Sequence, residues 1–385
     1  VTRERARLRQ TGEDPKRLEQ LDRDFEYPGL DTCAACNLCS IRCPVGIETG
    51  TMIMGERARR RGSTARTVAG FAADHRGTVE ALMRGGEAVA DAARRVVPAQ
   101  AIEAVTETAR RLTGKRVPRV SRALRHGPGA PQPLETRQDP RRTGFPVPIA
   151  GVQRQTVVYF PACPTRIFGA PNTAFDLLDA PAAMLALLDR AGFDVVNPEG
   201  AGQCCGQPWQ SKGFPEDAVR VGRDLHRELS ALSQGGELTV LTDASTCAKH
   251  LDEFGGDARV LDSAQFLVSH VLPRVTVTQK LPVLAVHHNC SAQRLFEQPL
   301  TEKVAAACAE RIAVLSSVTC CGYAGDKGLF IPELNQHATR FAKRDIPEGC
   351  ELGVSTAATC ASGLSENAGV PFVGLAAVLE WATRG

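Results

Sequence analysis

The sequence has no hydrophobic run long enough to span a membrane, no secretory signal and little net charge. No stretch of eighteen or more apolar residues occurs in its 385 residues. The N-terminal VTRERARLRQ is rich in charged residues and lacks the apolar centre of a signal peptide. A net charge of +3 is too small to indicate nucleic acid as the main partner. We therefore expect a cytoplasmic protein, either free or held peripherally at the inner face of the cell membrane.

Signatures for nucleotide and flavin binding are also missing. No G-x-G-x-x-G follows a predicted strand, and no G-x-x-x-x-G-K-[ST] occurs anywhere. No nucleophile paired with a histidine is recognisable either. The chain is therefore not expected to bind a flavin, a nicotinamide or a nucleotide by itself.

Cysteine, in contrast, is abundant. Fourteen cysteines would suit a small disulfide-rich secreted protein, but this chain is neither small nor visibly secreted. Clustered cysteines in a cytosolic protein more often bind metal. The composition therefore indicates an intracellular metalloprotein.

The hydrophobic pattern changes along the chain. Residues 1–30 and 50–112 have the spacing of helices. The stretch 113–150 is basic and Pro-rich, which predicts an exposed, semi-rigid linker that acts as a solvated tether. Beyond it, β-rich runs alternate with amphipathic helical segments, which predicts an α/β fold with mainly parallel sheets. The predicted strands are TVVYF (156–160), FDVV (193–196), LTVLT (238–242), PVLAVH (282–287), IAVL (312–315) and ELGVS (351–355).

The second part of the chain repeats itself. VVYFPACPTR matches VLAVHHNCSAQR, QCCGQPWQSKGF matches TCCGYAGDKGLF, and TDASTCAKH matches STAATCASG. Both copies keep one order: a strand with a single Cys, then Cys-Cys-Gly, then another single Cys. We interpret this as an internal duplication, with the copies at 151–275 and 276–385.

The first cysteine group is the run CAACNLCSIRCP. It contains Cys33, Cys36, Cys39 and Cys43 in the spacing C-x2-C-x2-C-x3-C-P. This spacing is typical of iron–sulfur proteins, and in two-cluster ferredoxins the fourth Cys binds the other cluster. Zinc usually takes two separated pairs of ligands and is the structural alternative. We therefore expect one iron–sulfur cluster here, with its fourth ligand left open.

The other two groups come from the duplicated copies. Each single Cys closely follows a predicted strand, and the carboxyl ends of parallel strands share one edge of a sheet. Four distant thiols can therefore converge, and the Gly after each doublet permits the backbone to approach a ligand closely. Buried structural cysteine is the alternative reading. The two candidate ligand sets are Cys163, Cys204, Cys205 and Cys247, and Cys290, Cys320, Cys321 and Cys360.

The remaining polar candidates are weaker. Cys308 and Cys350 have no counterpart in the other copy and are expected to be packing residues. His250, three residues after Cys247, is interpreted as a polar loop residue, with an auxiliary ligand as the alternative. Lys212 and Lys327 follow the two doublets, where each either offsets an anionic cluster or is solvated.

The doublets CCGQP and CCGYAGDKG resemble those of the CCG cysteine-rich domains of heterodisulfide reductase B-type and glycolate oxidase iron–sulfur subunits. A wider resemblance is to the C-terminal half of the large flavin- and iron–sulfur-containing D-lactate dehydrogenases. It rests on LDTCAACNLCSIRCPVGIETG, YFPACPTR, CCGQPWQSKGF, HHNCSAQR, CCGYAGDKGLFIPELN and STAATC, which occur in the same order.

This resemblance implies a helical ferredoxin-type domain at 1–112, the linker at 113–150 and two CCG domains at 151–275 and 276–385. It implies 4Fe-4S clusters on the twelve motif cysteines. The module would pass electrons from FAD in another domain or subunit towards a quinone or cytochrome, during oxidation of a D-2-hydroxy acid. Because the flavin domain and the first ferredoxin motif are missing, we expect a separate subunit or a fragment that cannot oxidise lactate alone.

The sequence departs from these families at three positions. Heterodisulfide reductase CCG domains have a fifth Cys in a C-x-x-C ending, where this chain has His250 and Gly363, so a cubane is expected rather than a non-cubane cluster. Cys36 is an addition relative to many D-lactate dehydrogenases, in which Asp is common. The alternative functions are a heterodisulfide or thiol–disulfide reductase-like subunit, a glycolate oxidase iron–sulfur subunit and a structural metal-binding protein.

Overall fold

A computed structural model describes residues 2–113, 117–121, 123–129, 154–198, 202–295 and 299–384. Its first part is helical, as predicted. The helices are α1 (Thr2–Thr11), α2 (Pro15–Phe25), α3 (Leu38–Arg42), α4 (Thr49–Arg60), α5 (Ser63–Asp74), α6 (Arg76–Arg94) and α7 (Ala99–Leu112), with a π-helical turn at Glu26–Asp31. Helix α2 begins where Asp14 caps the backbone N–H of Arg17 and Pro15 opens the first turn. No helix in the described ranges is both long and apolar enough to cross a membrane.

The second part contains two four-stranded parallel sheets, which confirms the predicted α/β fold. Their strands are β2 (Gln155–Phe160), β4 (Phe193–Val196), β5 (Val240–Thr242), β6 (Val260–Asp262), β7 (Leu281–His287), β8 (Ala309–Val314), β9 (Gly353–Ser355) and β10 (Phe372–Gly374). The first sheet has the order β4-β2-β5-β6 and the second has the order β8-β7-β9-β10. Numbered within each sheet, both orders read 2-1-3-4. The shared topology agrees with the repeated sequence.

Helices connect the strands of both sheets. They are α8 (Cys163–Ile167), α9 (Ala180–Arg190), α10 (Gln207–Lys212), α11 (Pro215–Leu232), α12 (Ser245–Asp252), α13 (Ser263–Phe266), α14 (Cys290–Leu295), α15 (Leu300–Cys308), α16 (Lys327–Phe330), α17 (Pro332–Ala338), α18 (Ala358–Asn367) and α19 (Leu375–Ala382). Shorter turns are the π-helical Leu267–Val271 and the 3₁₀ turns Leu272–Arg274 and Ala342–Arg344.

One hydrophobic core joins the two sheets. Helices α9 and α19 pack against each other, and Leu187, Leu188 and Leu379 are fully buried at this contact. The same cluster contains Val157 of β2 and Leu284 of β7. Because each fully buried Leu contributes about 1.5–3 kcal/mol, this contact holds the two copies together strongly.

Part of the predicted linker is folded. Leu124 is fully buried, and strand β1 (Arg125–His126) pairs antiparallel with β3 (Phe168–Gly169). The backbone N–H of Arg119 donates to the carbonyl of Leu329. These contacts correct the expectation of an exposed tether for residues 117–121 and 123–129. Residues 114–116, 122 and 130–153 lie outside the described residues.

Candidate metal centres

The four cysteines of the first copy meet at one edge of the first sheet. Cys163 begins α8 directly after β2, Cys247 lies in α12 after β5, and the doublet lies between β4 and α10. Because β2 lies between β4 and β5 and all run parallel, their carboxyl ends share an edge. Cys163 contacts Cys204, Cys204 contacts Cys205, and Cys205 contacts Cys247. The structure thus brings together the predicted first-copy set.

The second copy repeats this arrangement. Cys290 begins α14 after β7, and Cys360 lies in α18 after β9. Cys290 contacts Cys320, and the sulfurs of Cys321 and Cys360 lie 3.0 Å apart, beyond the length of a disulfide bond. The doublet contact Cys320–Cys321 completes a second chain of thiols.

In the absence of a metal ion, the first thiol of each set, Cys163 or Cys290, favours the protonated form. The hydrogen bond with Cys204, together with burial, raises the pKa of Cys163 well above its usual value. Contact with Cys320 and Cys36, together with burial, does the same for the pKa of Cys290. A bound cation reverses this balance, because metal binding deprotonates a coordinating thiol. Each set is therefore a group of buried and half-buried soft donors that a cation would convert to thiolates.

The glycines of the CCG doublets serve the packing of helices. Gly206 has a φ of 93°, and a Cβ atom there would lie 2.3 Å from the carbonyl oxygen of Ala218 in α11. Gly322 has a φ of 69°, and its Cβ would lie 2.6 Å from the carbonyl oxygen of Leu334 in α17. The glycines are thus required by a left-handed turn and a close helix backbone. The sequence predicts a bound ligand, rather than a helix, beside these glycines.

Polar side chains fix the turns that carry the cysteines. These side chains were not predicted from the sequence. Buried Asp243 accepts hydrogen bonds from the Ala162 backbone N–H (2.8 Å), the Tyr159 hydroxyl (2.9 Å) and the Thr165 hydroxyl (2.9 Å). Burial raises the pKa of Asp243. These bonds fix the turn that places Cys163. The only sequence signal was the position of Asp243 directly after a strand.

In the second copy the bracing side chain comes from the turn after β7, whereas in the first copy it comes from the turn after β5. Asn289, directly before Cys290, donates to Thr356, which occupies the position of Asp243. Its side-chain oxygen accepts from the Ala292 backbone N–H at 2.8 Å. The two copies therefore brace equivalent cysteines with different residues.

The N-terminal run does not form a closed set of four. Cys39 is exposed, while the Cys33 sulfur accepts a hydrogen bond from the Ala35 backbone N–H at 3.4 Å. Backbone N–H groups of the following turn lower the pKa of Cys43. The thiol of Cys36 contacts Cys290 and Cys320 of the second copy.

Positive charges lie beside the N-terminal run. Buried Arg57 donates to the carbonyls of Leu30 and Cys33 and, at 2.6 Å, to that of Ser211. Lys327 donates to the carbonyl of Asp31, and burial together with Arg57 lowers its pKa to about 8. Lys327 is therefore not simply solvated.

The structure also shows the contacts of the remaining candidate residues. Lys212 forms an ion pair with Asp326. Cys308 and Cys350 are buried in hydrophobic clusters, as expected for packing residues. His250 lies buried in α12 rather than in a loop, with Nδ1 3.3 Å from a Glu253 carboxylate oxygen.

Both thiol chains open into one cavity of about 1360 Å³. Apolar side chains of α4, α5 and α6, among them Met54, Val68 and Met83, also line this cavity. Nine of the fourteen cysteines line it: Cys36, Cys163, Cys204, Cys205, Cys247, Cys290, Cys320, Cys321 and Cys360.

The donor chemistry of these sets fits an iron–sulfur cluster, since thiolates select iron–sulfur clusters, zinc or copper(I). The sulfurs, however, touch one another in chains. No group of three or more His, Cys, Asp or Glu in the described ranges surrounds a common point suited to a metal ion. A chain of S–H···S contacts is the arrangement of neutral thiols, so the sulfurs must move apart to accept a cluster. The thiol sets therefore suit an iron–sulfur cluster by the type of donor, by the burial of the thiols and by their convergence at one edge of each sheet.

Comparison with known proteins identifies the first copy. Residues 157–252 match the family described as CCG, Cysteine-rich domain. Lactate utilization protein A of Geobacillus thermodenitrificans (strain NG80-2) is 30% identical over 162 residues. That similarity spans 37% of this chain and 65% of the relative, so the chain covers slightly less than two thirds of the relative's length. Residues 157–252 are thus similar to a CCG cysteine-rich domain, in a chain partly similar to a lactate utilization protein.

Proposed function

We propose that this chain is an iron–sulfur electron-transfer module in the oxidation of lactate or a similar D-2-hydroxy acid. It receives electrons from FAD in another domain or subunit and passes them towards a quinone or cytochrome. The observation that carries the proposal is the convergence of four thiols at the same edge of each of two equivalent sheets. The partial similarity to a lactate utilization protein supports the substrate class.

The chain's own residues prepare these sites for a cofactor. A bound 4Fe-4S cluster would supply one-electron transfer at a potential set by charge, hydrogen bonds and exposure. The thiols of the first copy are buried or half-buried, which limits water around the ligands. Arg166 adds a buried positive charge beside Cys163 and Cys204. The Arg166 guanidinium favours the thiolate forms that bind metal, and its ion-pair partner Glu80 reduces this effect at Cys163.

Anaerobic purification followed by iron, sulfide and zinc quantification and EPR spectroscopy tests the proposal. We expect iron and sulfide in comparable amounts and EPR signals after reduction by dithionite. Cys204→Ser and Cys320→Ser alter equivalent positions of the two copies, so each should remove a different part of the iron. Zinc without sulfide, or the absence of both metals, would overturn the proposal.

A second candidate is a heterodisulfide or thiol–disulfide reductase-like subunit, favoured by the cavity that both thiol sets line. A mixing experiment separates the two functions. Protein reduced by dithionite and freed of excess reductant is mixed with a soluble quinone or with glutathione disulfide. Rapid reoxidation by the quinone alone supports electron transfer to a quinone, whereas rapid reoxidation by the disulfide supports the reductase.

A further inference from the structure

The thiol of Cys36 faces the second copy. It is within hydrogen-bonding contact of both Cys290 and Cys320. Of the four motif cysteines, all within the described ranges, Cys36 alone lines the cavity shared by the two copies. Cys39, three residues later, is exposed.

Strained backbone on both sides holds Cys36 in this orientation. Ala35 has a φ of 51° and Asn37 a φ of 57°. Asparagine tolerates this left-handed region, but for alanine the conformation is strained. Such strain persists only where the surroundings enforce it, and it concentrates at functional sites.

Hydrogen bonds between Asn37 and helix α4 enforce this turn. Asn37 is buried, and its side-chain oxygen accepts from the Thr51 backbone N–H at 2.9 Å. Its amide also donates to the Thr51 hydroxyl at 2.8 Å. These two bonds tie the turn to helix α4. Asn37 thus acts as a positioning residue for Cys36.

Elements of the second copy contact the segments on both sides of the motif, and helix α14 packs against helix α3 within it. Arg294, on the same short helix as Cys290, forms an ion pair with Glu48. The Tyr27 hydroxyl donates to Glu333 at 2.7 Å. Contacts from the first copy instead reach helices α4 and α5, as in the bond from Trp209 to the carbonyl of Ala69. The motif is therefore docked on the second copy.

We infer that Cys36 belongs to the metal-binding set of the second copy, a role that rests on the proposed iron–sulfur function. That set then has five thiols: Cys36, Cys290, Cys320, Cys321 and Cys360. The first copy has four, with His250 three residues after its last cysteine. The N-terminal run retains Cys33, Cys39 and Cys43. The two copies are therefore inequivalent sites despite their common topology.

EPR spectroscopy of single variants in the full chain, loaded with iron and sulfide, tests this assignment. Cys36→Ser should alter the same reduced-state signal as Cys320→Ser. The matched variant Cys39→Ser, from the same motif, should alter a different signal. If Cys36→Ser instead changes the signal altered by Cys39→Ser and leaves that of Cys320→Ser intact, the assignment is wrong.

A second measurement needs no cluster and no stable variant. Metal-free full-length protein is treated with diamide, which accepts two electrons and two protons as each pair of thiols forms a disulfide. Peptide mapping should find Cys36 joined to Cys290 or Cys320. Cys36 joined to Cys33 or Cys39 would overturn the inference. A wild-type protein without iron that still gives the Cys36–Cys290 or Cys36–Cys320 peptide would refute the proposed function while confirming the thiol contact.

Discussion

Arg166 and Glu80 form a two-pronged ion pair that joins helix α6 to the cysteine-bearing helix α8. Arg166 Nε lies 2.9 Å and Nη2 lies 2.6 Å from the two carboxylate oxygens, and both residues are buried. Arg166 also donates to the carbonyls of Pro161 (2.5 Å) and Gln203 (2.8 Å). The pair therefore braces the segments that precede Cys163 and Cys204.

Removing the charge of Glu80 should destabilise the protein strongly. Glu80→Gln leaves the buried Arg166 guanidinium without its counter-charge, which typically costs about 3–5 kcal/mol. The free energy of unfolding is obtained from anaerobic urea titration. The matched control is Glu19→Gln, because Glu19 pairs with Arg23 on the surface and such pairs contribute about 0–1 kcal/mol. Equal losses in the two variants would contradict the assigned role of the buried pair.

The glycine of the first CCG doublet should not tolerate a side chain. Gly206→Ala adds a left-handed backbone penalty of about 1–2 kcal/mol and a clash with the Ala218 carbonyl, so we expect a loss of about 3 kcal/mol or more. Gly235 also has a positive φ, 70°, but has open space around it. Gly235→Ala should therefore lose about 1–2 kcal/mol in the same urea titration. Similar losses would show that backbone conformation alone requires glycine at 206.

The sequence predicts much of this fold because the relevant signals are local. Runs such as TVVYF are buried and β-branched, so strand β2 could be assigned directly, and the strand–helix alternation predicted parallel sheets. Strands β6 and β10 were not predicted, and their length does not explain this, because β5 and β9 are equally short and were predicted. Their places depend on pairing with β5 and β9.

The site is predictable only in part, for a related reason. Cysteines that follow parallel strands converge by topology, so both four-thiol sets could be anticipated. The position of Cys36 depends instead on the turn at Asn37 and on docking against Arg294, far along the chain. The bracing role of Asp243 likewise depends on Thr165 and Tyr159, which no spacing rule connects. Contacts of this kind follow from packing and cannot be read from local pattern.

Replacement by alanine should change the iron content at one buried cysteine and leave it unchanged at another. Cys308 lies in the hydrophobic core on α15, where burial raises its pKa to about 12, and its thiol faces apolar neighbours. Cys308→Ala should leave the iron content of the purified protein unchanged and cost about 1 kcal/mol of stability. Cys360→Ala, which removes a member of the second thiol set, should lower the iron content. A loss of iron in both variants would show that Cys308 is more than a packing residue.

His287 should make the protein less stable in acid. Burial, reinforced by the neighbouring His288, lowers the pKa of His287 to about 3 in the folded state. The unfolded chain binds this proton near pH 6.5. The stabilising contribution is therefore complete above pH 6.5 and is lost as the pH falls towards 3, by up to about 1.4 kcal/mol per pH unit.

The residue at the equivalent position of the first copy supplies the test variant. Phe160 ends strand β2 as His287 ends β7, and it is buried without a titrating group. His287→Phe removes the proton-linked difference between the folded and unfolded states. Urea titrations at pH 7.5, 6 and 5 should therefore show a shallower fall in the free energy of unfolding for this variant. An identical fall in both proteins would mean that other groups, and not His287, cause the sensitivity to acid.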